Sequence, residues 1–177
     1  MKVFLYGRRH AGKSTLIEEA ARRCGVVPDG FRTVSDSDGY EGGWSLYLQP
    51  ASGHAANGPH NKAAVCRPDG SRESYPEIFD TEGVRLLTFA RAPRLVVMDE
   101  LGFMEKDSLR FQERVMEVLG GPCPVLGVIK PADKDPGPFI ERVYAHPGVT
   151  VLEVTEKNRD DRLKEIIAAL AHAARGV

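Results

Sequence analysis

Short apolar runs alternate with amphipathic segments along most of the chain. The first run, "KVFLY" at Lys2–Tyr6, predicts a buried strand. A glycine-bounded loop follows, and apolar residues at helical spacing then predict an amphipathic helix that stops near Gly25. The last predicted helix has its apolar residues on one face: Leu163, Ile166, Ile167, Leu170, Ala171 and Ala174.

Three further apolar runs predict strands: "RLVVMD" at 94–99, buried on both faces, "CPVLGVI" at 123–129, also buried, and "VTVLEV" at 149–154. A helix is predicted before the first of them, at 79–90, and others between them, after the capping pair Asp107 and Ser108 and at 139–144. This alternation favours an α/β fold. Crossovers would join parallel strands, and helices would cover both faces of a mostly parallel sheet.

Residues 28–74 have a different character, because they hold many of the glycines and prolines. Short β-prone pieces lie between the turn signals, at 31–34, 44–48 and 63–67. We expect an added β-hairpin region that extends the sheet antiparallel or covers one end. Residues 50–62 are expected to be disordered without a ligand. No repeat and no linker divides the chain, so a single domain over residues 1–177 is predicted.

Composition narrows the class of protein. The 177 residues carry 24 basic and 25 acidic side chains, a formal net charge of −1. This balance gives no strong signal for nucleic acid or for an anionic membrane. No apolar run approaches the roughly 18–20 residues of a membrane span, and Arg8 and Arg9 end the first run too early for a signal peptide. The three cysteines, Cys24, Cys66 and Cys123, predict free thiols. A cytoplasmic enzyme or binding protein is therefore expected, with its oligomeric state left open.

The loop after the first strand carries the clearest chemical signal. "GRRHAGKS" matches the phosphate-loop pattern GxxxxGK[ST] through Gly7, Gly12, Lys13 and Ser14, between a strand and a helix as the pattern requires. The backbone N–H groups of such a loop and the positive end of the following helix form a cradle for a triphosphate. We therefore expect a nucleoside triphosphate such as ATP or GTP. Lys13 would reach its β- and γ-phosphates as a catalytic residue, and Ser14 would ligate Mg²⁺.

The predicted nucleotide-binding segment is the whole loop: Gly7, Arg8, Arg9, His10, Ala11, Gly12, Lys13, Ser14 and Thr15. Thr15 would add a contact to the α-phosphate. Two interpretations stay open for Arg8, Arg9 and His10. Their side chains either add positive charge around the phosphates or point to water while only the backbone binds.

A second signature, "RLVVMDELGFME", ends an apolar strand with two acids. Ligands of open α/β sheets bind outside the carboxyl ends of the strands, so Asp99 and Glu100 are expected beside the phosphate loop. Asp99 would hold Mg²⁺. Glu100 would be catalytic and polarise the water that attacks the γ-phosphorus, or it would make only a structural ion pair. Glu105 is either a second water-orienting group or a solvated carboxylate.

Two segments near the C-terminus carry weaker signals. Asn158, in "EKNRDD", suits a helix N-cap, with Arg159 next to it. "VIKPAD" is similar to the guanine-reading NKxD motif, but two residues rather than one separate Lys130 from Asp133. The spacing argues against guanine specificity and leaves Lys130 as a residue that flanks the base.

Aromatic and arginine side chains leave further alternatives. Tyr40, Trp44 and Tyr47 would stack on a base or pack within the hairpins. An internal arginine finger has several candidates that the sequence does not rank: Arg91, Arg94, Arg142 and Arg159.

Three segments together resemble a known family. "GRRHAGKST", "DELGFME" and "VLEVTEKNRDD" are similar to motifs of the small P-loop nucleoside-triphosphatases, the cancer-related nucleoside-triphosphatase-like family. The resemblance covers most of the chain and is thin across residues 35–75. It implies a P-loop NTPase three-layer sandwich that hydrolyses ATP, GTP and other nucleoside triphosphates with broad base preference. It also implies that Asn158 or Arg159 lies near the nucleotide.

Two departures from that family bear on activity. The family usually has proline and glycine where Arg9 and His10 stand, so the loop is expected to have a different shape. It often has lysine where Phe103 lies, and if that lysine contacts phosphates, its loss would lower hydrolytic efficiency.

A Mg²⁺-dependent nucleoside-triphosphatase is the function that the sequence favours, resting on Lys13, Ser14, Asp99 and Glu100. Two alternatives stay open. A small-molecule or nucleotide kinase would use the same phosphate loop and would need an acceptor pocket, for which residues 35–75 are the only room. A non-catalytic nucleotide-binding accessory module would bind tightly without turnover.

Overall fold

Eight strands form one sheet in the computed structural model, which describes residues 1–37, 42–131 and 137–173. Their order across the sheet is β5-β4-β3-β2-β6-β7-β1-β8. Strands β2, β6, β7, β1 and β8 are parallel, and β3, β4 and β5 continue the sheet antiparallel from β2. The strands are β1 (Lys2–Tyr6), β2 (Asp29–Asp36), β3 (Trp44–Pro50), β4 (Lys62–Cys66), β5 (Arg72–Ser74), β6 (Val96–Leu101), β7 (Val125–Ile129) and β8 (Val149–Glu153).

Helices cover both faces of the parallel part. They are α1 (Lys13–Arg23), α2 (Pro76–Ile78), a π-helical turn (Phe79–Gly83), α3 (Val84–Leu86), α4 (Leu109–Gly120), α5 (Gly137–Ala145) and α6 (Arg159–Ala173). Alternate residues of one strand enter opposite cores, as the pleat requires. Phe4 and Met98 pack in the core with α4 and α5, whereas Leu5 and Val97 pack in the core with α1 and α6. The predicted three-layer α/β sandwich is confirmed.

The hairpin region forms as predicted but is larger than expected. The pieces at 31–34, 44–48 and 63–67 lie in or at the end of β2, β3 and β4, and the short polar strand β5 was not predicted. Residues 50–62 were expected to be disordered, but buried polar side chains fix this segment. Gln49 donates to the Ala55 carbonyl at 3.0 Å, and Asn61, 1% exposed, donates to the Leu48 carbonyl at 3.0 Å.

Two local predictions on the α4 face need correction: the bounds of the helix at 79–90 and the cap of α4. The helix predicted at 79–90 begins at Pro76 and ends at Leu86, because proline suits the first helical position. Ser108, predicted to cap α4, makes no side-chain cap hydrogen bond. The N–H of Phe111 instead donates to Asp80 Oδ1 at 2.9 Å, so the π-helical turn supplies the cap.

The order of the strands determines where the predicted functional residues can meet. Strand β7 separates β1 from β6, and all three run parallel. Their carboxyl ends therefore open at one edge, where the loops after β1, β6 and β7 meet. Within the described residues no helix is long and apolar enough to cross a bilayer, and Cys24, Cys66 and Cys123 are free thiols.

Gly127 allows close packing at the centre of the sheet, because it has no side chain. It lies between Phe4 of β1 and Met98 of β6, and a Cβ there would lie 2.5 Å from Phe4 Cε1 and 2.7 Å from the Met98 oxygen. We expect Gly127→Ala to lower the free energy of unfolding by about 1–3 kcal/mol through overpacking. Urea denaturation measures the change. Gly120→Ala is the matched control, since a Cβ there meets nothing within 4 Å. An unchanged midpoint for Gly127→Ala would contradict this account of the sheet centre.

Candidate active site

The loop between β1 and α1 has the backbone shape of an anion cradle. Gly12 and His10 lie in the left-handed region, with φ of 87° and 65°, and a Cβ on Gly7 would collide with the Val154 carbonyl. His10 adopts this conformation at the cost that a non-glycine residue carries there. Ala11 is buried, and the Arg8, Arg9 and His10 side chains are exposed.

Lys13 lies at the start of α1, with its ammonium turned back into the loop. It donates to the Gly7 carbonyl at 3.1 Å and to the Arg8 carbonyl at 2.9 Å. Burial lowers the pKa of Lys13, the Glu100 and Asp99 carboxylates oppose this, and Lys130 lowers the pKa further. These four charged groups therefore share one electrostatic environment, although three different loops and strand ends carry them.

Ser14 and Asp99 line one cavity beside α1. Asp99 is buried at the end of β6, and this burial raises its pKa to about 6, with the nearby Ser14 hydroxyl opposing the shift. Both groups offer oxygen ligands, and Mg²⁺ is typically held by one or two carboxylates together with substrate phosphates. No cluster of three or more His, Cys, Asp or Glu occurs among the described residues. The donor set fits a metal that a nucleotide helps to hold.

Glu100 makes an ion pair with Lys130. Lys130 Nζ lies 2.5 Å from Glu100 Oε1, with the side chains 42% and 31% exposed. The structural pairing left open for Glu100 is thus present. Both side chains also line the same cavity as Lys13 and Ser14, so the pair faces the phosphate loop.

Glu105 is not the solvated carboxylate of one sequence interpretation, and it lines the cavity over the phosphate loop. It is only 2% exposed, so it is not solvated, and its Oε1 accepts a hydrogen bond from the Gly102 N–H at 2.5 Å. Gln112 of α4 donates to the Glu105 and Lys106 carbonyls, both at 2.8 Å. Burial raises the pKa of Glu105 to about 7. These contacts fix the loop that follows Glu100.

A cavity of about 720 Å³ opens over the phosphate loop. One wall is a face of the hairpin region, formed by Thr33, Ser35, Trp44 and Leu46. Phe103 and Arg72 complete the far wall, where the Arg72 guanidinium lies 5.0 Å from the centre of the Phe103 ring. The cavity is therefore larger than the phosphate cradle alone.

Trp44 and Tyr47 lie in different environments in the structure. Trp44 lines the cavity, so both of its interpretations stay open. Tyr47, three residues along β3, is 3% exposed with Lys62 Nζ 5.4 Å from its ring centre, and it therefore packs within the hairpins. Tyr40 and Asp133 lie outside the described residues.

The residues that follow β8 approach the loop in different ways. Arg159 runs beside it, since a Cβ on Gly12 would lie 3.1 Å from Arg159 Cδ. The Asn158 side chain accepts from the Thr155 N–H at 2.8 Å and donates to the Glu153 carbonyl at 3.1 Å. The Asn158 side chain thus stabilises the turn between β8 and α6, and its oxygen accepts a hydrogen bond from within that turn.

Of the remaining predicted residues, Thr15 lines the cavity as part of the loop. In the described part of the chain, the exposed side chains of Arg91, Arg94 and Arg142 are not among the cavity-lining residues. Sequence analysis did not identify Arg72 as a cavity residue, and it did not predict the ion pair between Lys130 and Glu100. For the ion pair, the one available signal was the position of Lys130 directly after an apolar strand.

Comparisons with known proteins decide the family. A family model described as NTPase matches residues 2–167. The nucleoside-triphosphatase THEP1 of Thermotoga petrophila is 33% identical over 174 residues, which cover 96% of this chain and 93% of that protein. The chain belongs to this nucleoside-triphosphatase family. The cancer-related nucleoside-triphosphatase of Homo sapiens is 28% identical over 184 residues, 95% of each chain.

Solved structures of this family share the fold. The solution structure of the human cancer-related nucleoside triphosphatase matches with a TM-score of 0.68 and 26% identity over 96% of each chain. The crystal structure of THEP1 from Aquifex aeolicus matches with a TM-score of 0.65 over 96% of this chain and 99% of that one. At 21% identity the second match bears on the fold alone. The expected P-loop NTPase architecture is confirmed.

The burial of Glu105 predicts a stability that falls as pH rises. Its folded-state pKa of about 7 lies above its ordinary value of 4.5, so the folded protein keeps a proton that the unfolded chain has released between these values. Glu105→Gln keeps an acceptor for Gly102 but removes this titration. The free energy of unfolding of Glu105→Gln minus that of the wild type should therefore increase from pH 5 to pH 8.

Urea denaturation at a series of pH values measures this difference. Glu113→Gln, on the exposed side of α4, is the matched control. A difference between Glu105→Gln and wild type that stays constant over the pH range would refute the effect of burial.

Proposed function

We propose that the protein is a Mg²⁺-dependent nucleoside-triphosphatase that hydrolyses the γ-phosphate of ATP, GTP and other nucleoside triphosphates with broad base preference. The observation that carries the proposal is the proximity of Ser14 to Asp99, which line one cavity and interact electrostatically. It joins the phosphate loop to the acidic end of β6, the two parts that phosphoryl chemistry needs side by side.

Each part of the loop has a distinct role in this proposal. The N–H groups of residues 7–15 surround the phosphates, and Lys13 moves its ammonium from the loop carbonyls to the β- and γ-phosphate oxygens. Ser14 and Asp99 hold Mg²⁺, which when bound neutralises charge on the phosphate oxygens. Arg9 and His10 line the cavity, so both of their interpretations stay open, whereas Arg8 is exposed outside the cavity lining.

Glu100 is the proposed catalytic carboxylate. It lines the same cavity as Lys13 and Ser14 and is one residue beyond the metal-binding Asp99. Its carboxylate accepts a proton from, or orients, the water that attacks the γ-phosphorus. Because the transition state of phosphoryl transfer is loose, orienting the water supplies much of the effect.

Broad base preference rests on the family resemblance and on the segment "VIKPAD". Two residues rather than one separate Lys130 from Asp133 there, which does not fit the guanine-reading NKxD spacing. We expect phosphate release from ATP, GTP, CTP and UTP, abolished when Mg²⁺ is removed with a chelator. Release from only one of the four nucleotides would overturn the broad preference and leave hydrolysis in place.

Lys13→Ala should lower kcat/KM for ATP by at least about 100-fold, because a preorganised donor to the transferred phosphoryl group is lost. Steady-state phosphate release measures the effect. Lys164→Ala, whose side chain is 78% exposed on α6, is the matched control and should match the wild type. Equal activity of the two variants would contradict the role of the loop lysine.

Glu100→Gln should bind nucleotide with near wild-type affinity and release phosphate at least about 100-fold more slowly, because the amide is a poor base. Titration with a fluorescent nucleotide analogue gives the affinity, and phosphate release gives the rate. Glu117→Gln removes an exposed carboxylate of α4 as the control. Undiminished hydrolysis by Glu100→Gln would remove this residue from the mechanism.

A small-molecule kinase is the second candidate, and the hairpin wall favours it. The cavity extends from the phosphate loop to Thr33, Ser35 and Arg72, which gives the space that an acceptor requires. Phosphate release without any added acceptor distinguishes hydrolysis from transfer. Tight nucleotide binding with neither release nor transfer would instead identify a non-catalytic module.

A further inference from the structure

Lys130 lies at the point where the two halves of the site meet. It follows β7, the strand between β1 and β6, so it emerges between the phosphate loop and the acid pair. Its backbone is fixed from two sides. The Lys130 N–H donates to the Leu101 carbonyl at 2.9 Å, and the Tyr144 hydroxyl of α5 donates to the Lys130 carbonyl at 3.0 Å.

The Lys130 side chain has a defined path to Glu100. It crosses Gly102, where a Cβ would lie 2.8 Å from Lys130 Cγ and 3.5 Å from Cε. The ammonium ends 2.5 Å from Glu100 Oε1. A side chain at position 102 would occupy this path, so the absence of a side chain at Gly102 lets the lysine lie flat against the loop.

Stability alone does not account for this ion pair. The two side chains are 42% and 31% exposed, and ion pairs in contact with water contribute little to folding. The pair lies in the wall of the nucleotide cavity, and Lys130 acts electrostatically on Lys13 across it. The main effect of the ion pair is therefore on the orientation of the Glu100 carboxylate.

We propose that Lys130 is a positioning residue for hydrolysis. It holds the Glu100 carboxylate at the cavity wall that faces the phosphate loop, so that the carboxylate meets the attacking water in one orientation. The proposal rests on the proposed function, since it assigns a support to the catalytic carboxylate. Lys130 would act on kcat through Glu100 and would contribute little to nucleotide affinity.

The test compares Lys130→Met and Lys130→Arg with the wild type. We expect Lys130→Met to lower kcat by at least about tenfold, because small displacements of a catalytic group have large effects on rate. The affinity for a fluorescent nucleotide analogue and the thermal midpoint should stay near the wild-type values. Lys130→Arg should recover part of the rate, since guanidinium also donates to a carboxylate. Lys106→Met, with a side chain 71% exposed in the neighbouring loop, is the control.

A double variant separates action through Glu100 from direct action on the nucleotide. In a Glu100→Gln background, adding Lys130→Met should lower kcat by less than about twofold, because effects within one functional unit are not additive. A further drop of about tenfold or more would overturn the proposal, as it would show that Lys130 acts without Glu100. A wild-type kcat in Lys130→Met would also overturn it.

Two further outcomes keep the test decisive. If Lys130→Met does not fold, Lys130→Gln takes its place, with the same expected loss of rate and the same overturning result. If the wild-type protein releases no phosphate, the hydrolase proposal fails and this inference fails with it. If the wild type is active and the Lys130 variants match it, only the inference about Lys130 fails.

Discussion

The proximity of the Ser14 hydroxyl to the Asp99 carboxylate is the constraint on which the site depends. The two residues are 85 positions apart, and the proposed metal site needs both segments. The parallel arrangement of β1, β7 and β6 brings them together, because it directs all three carboxyl ends to one edge. The burial that raises the pKa of Asp99 to about 6 has the same origin, since the residue lies at the end of a strand covered on both faces.

The two halves of the sheet have different tasks. The five parallel strands lie between two helical layers and hold the phosphate loop and the acids in fixed positions. The antiparallel strands β3, β4 and β5 extend the sheet past β2, and one face of this extension forms a wall of the cavity.

The sequence predicted what short-range patterns encode. Apolar runs identified the buried strands, and the phosphate-loop spacing identified the segment from Gly7 to Thr15. Contacts that form only in the folded structure were not predicted. The pattern "DELGFME" gives no sign that Glu105 turns inward to the Gly102 N–H or that Lys130 reaches Glu100. Likewise, Asp80 caps α4 from another element, and β5 is too short and polar to produce a strand signal.

Lys13 already has two partners within its own loop, the carbonyl oxygens of Gly7 and Arg8. In the proposed function, phosphate uptake at this lysine is therefore an exchange reaction, in which phosphate oxygens replace the carbonyl oxygens. Net affinity would then reflect the difference between two hydrogen-bond sets. Hydrogen bonds to charged acceptors are stronger than those to neutral ones, so this exchange would favour highly charged ligands before any base is read.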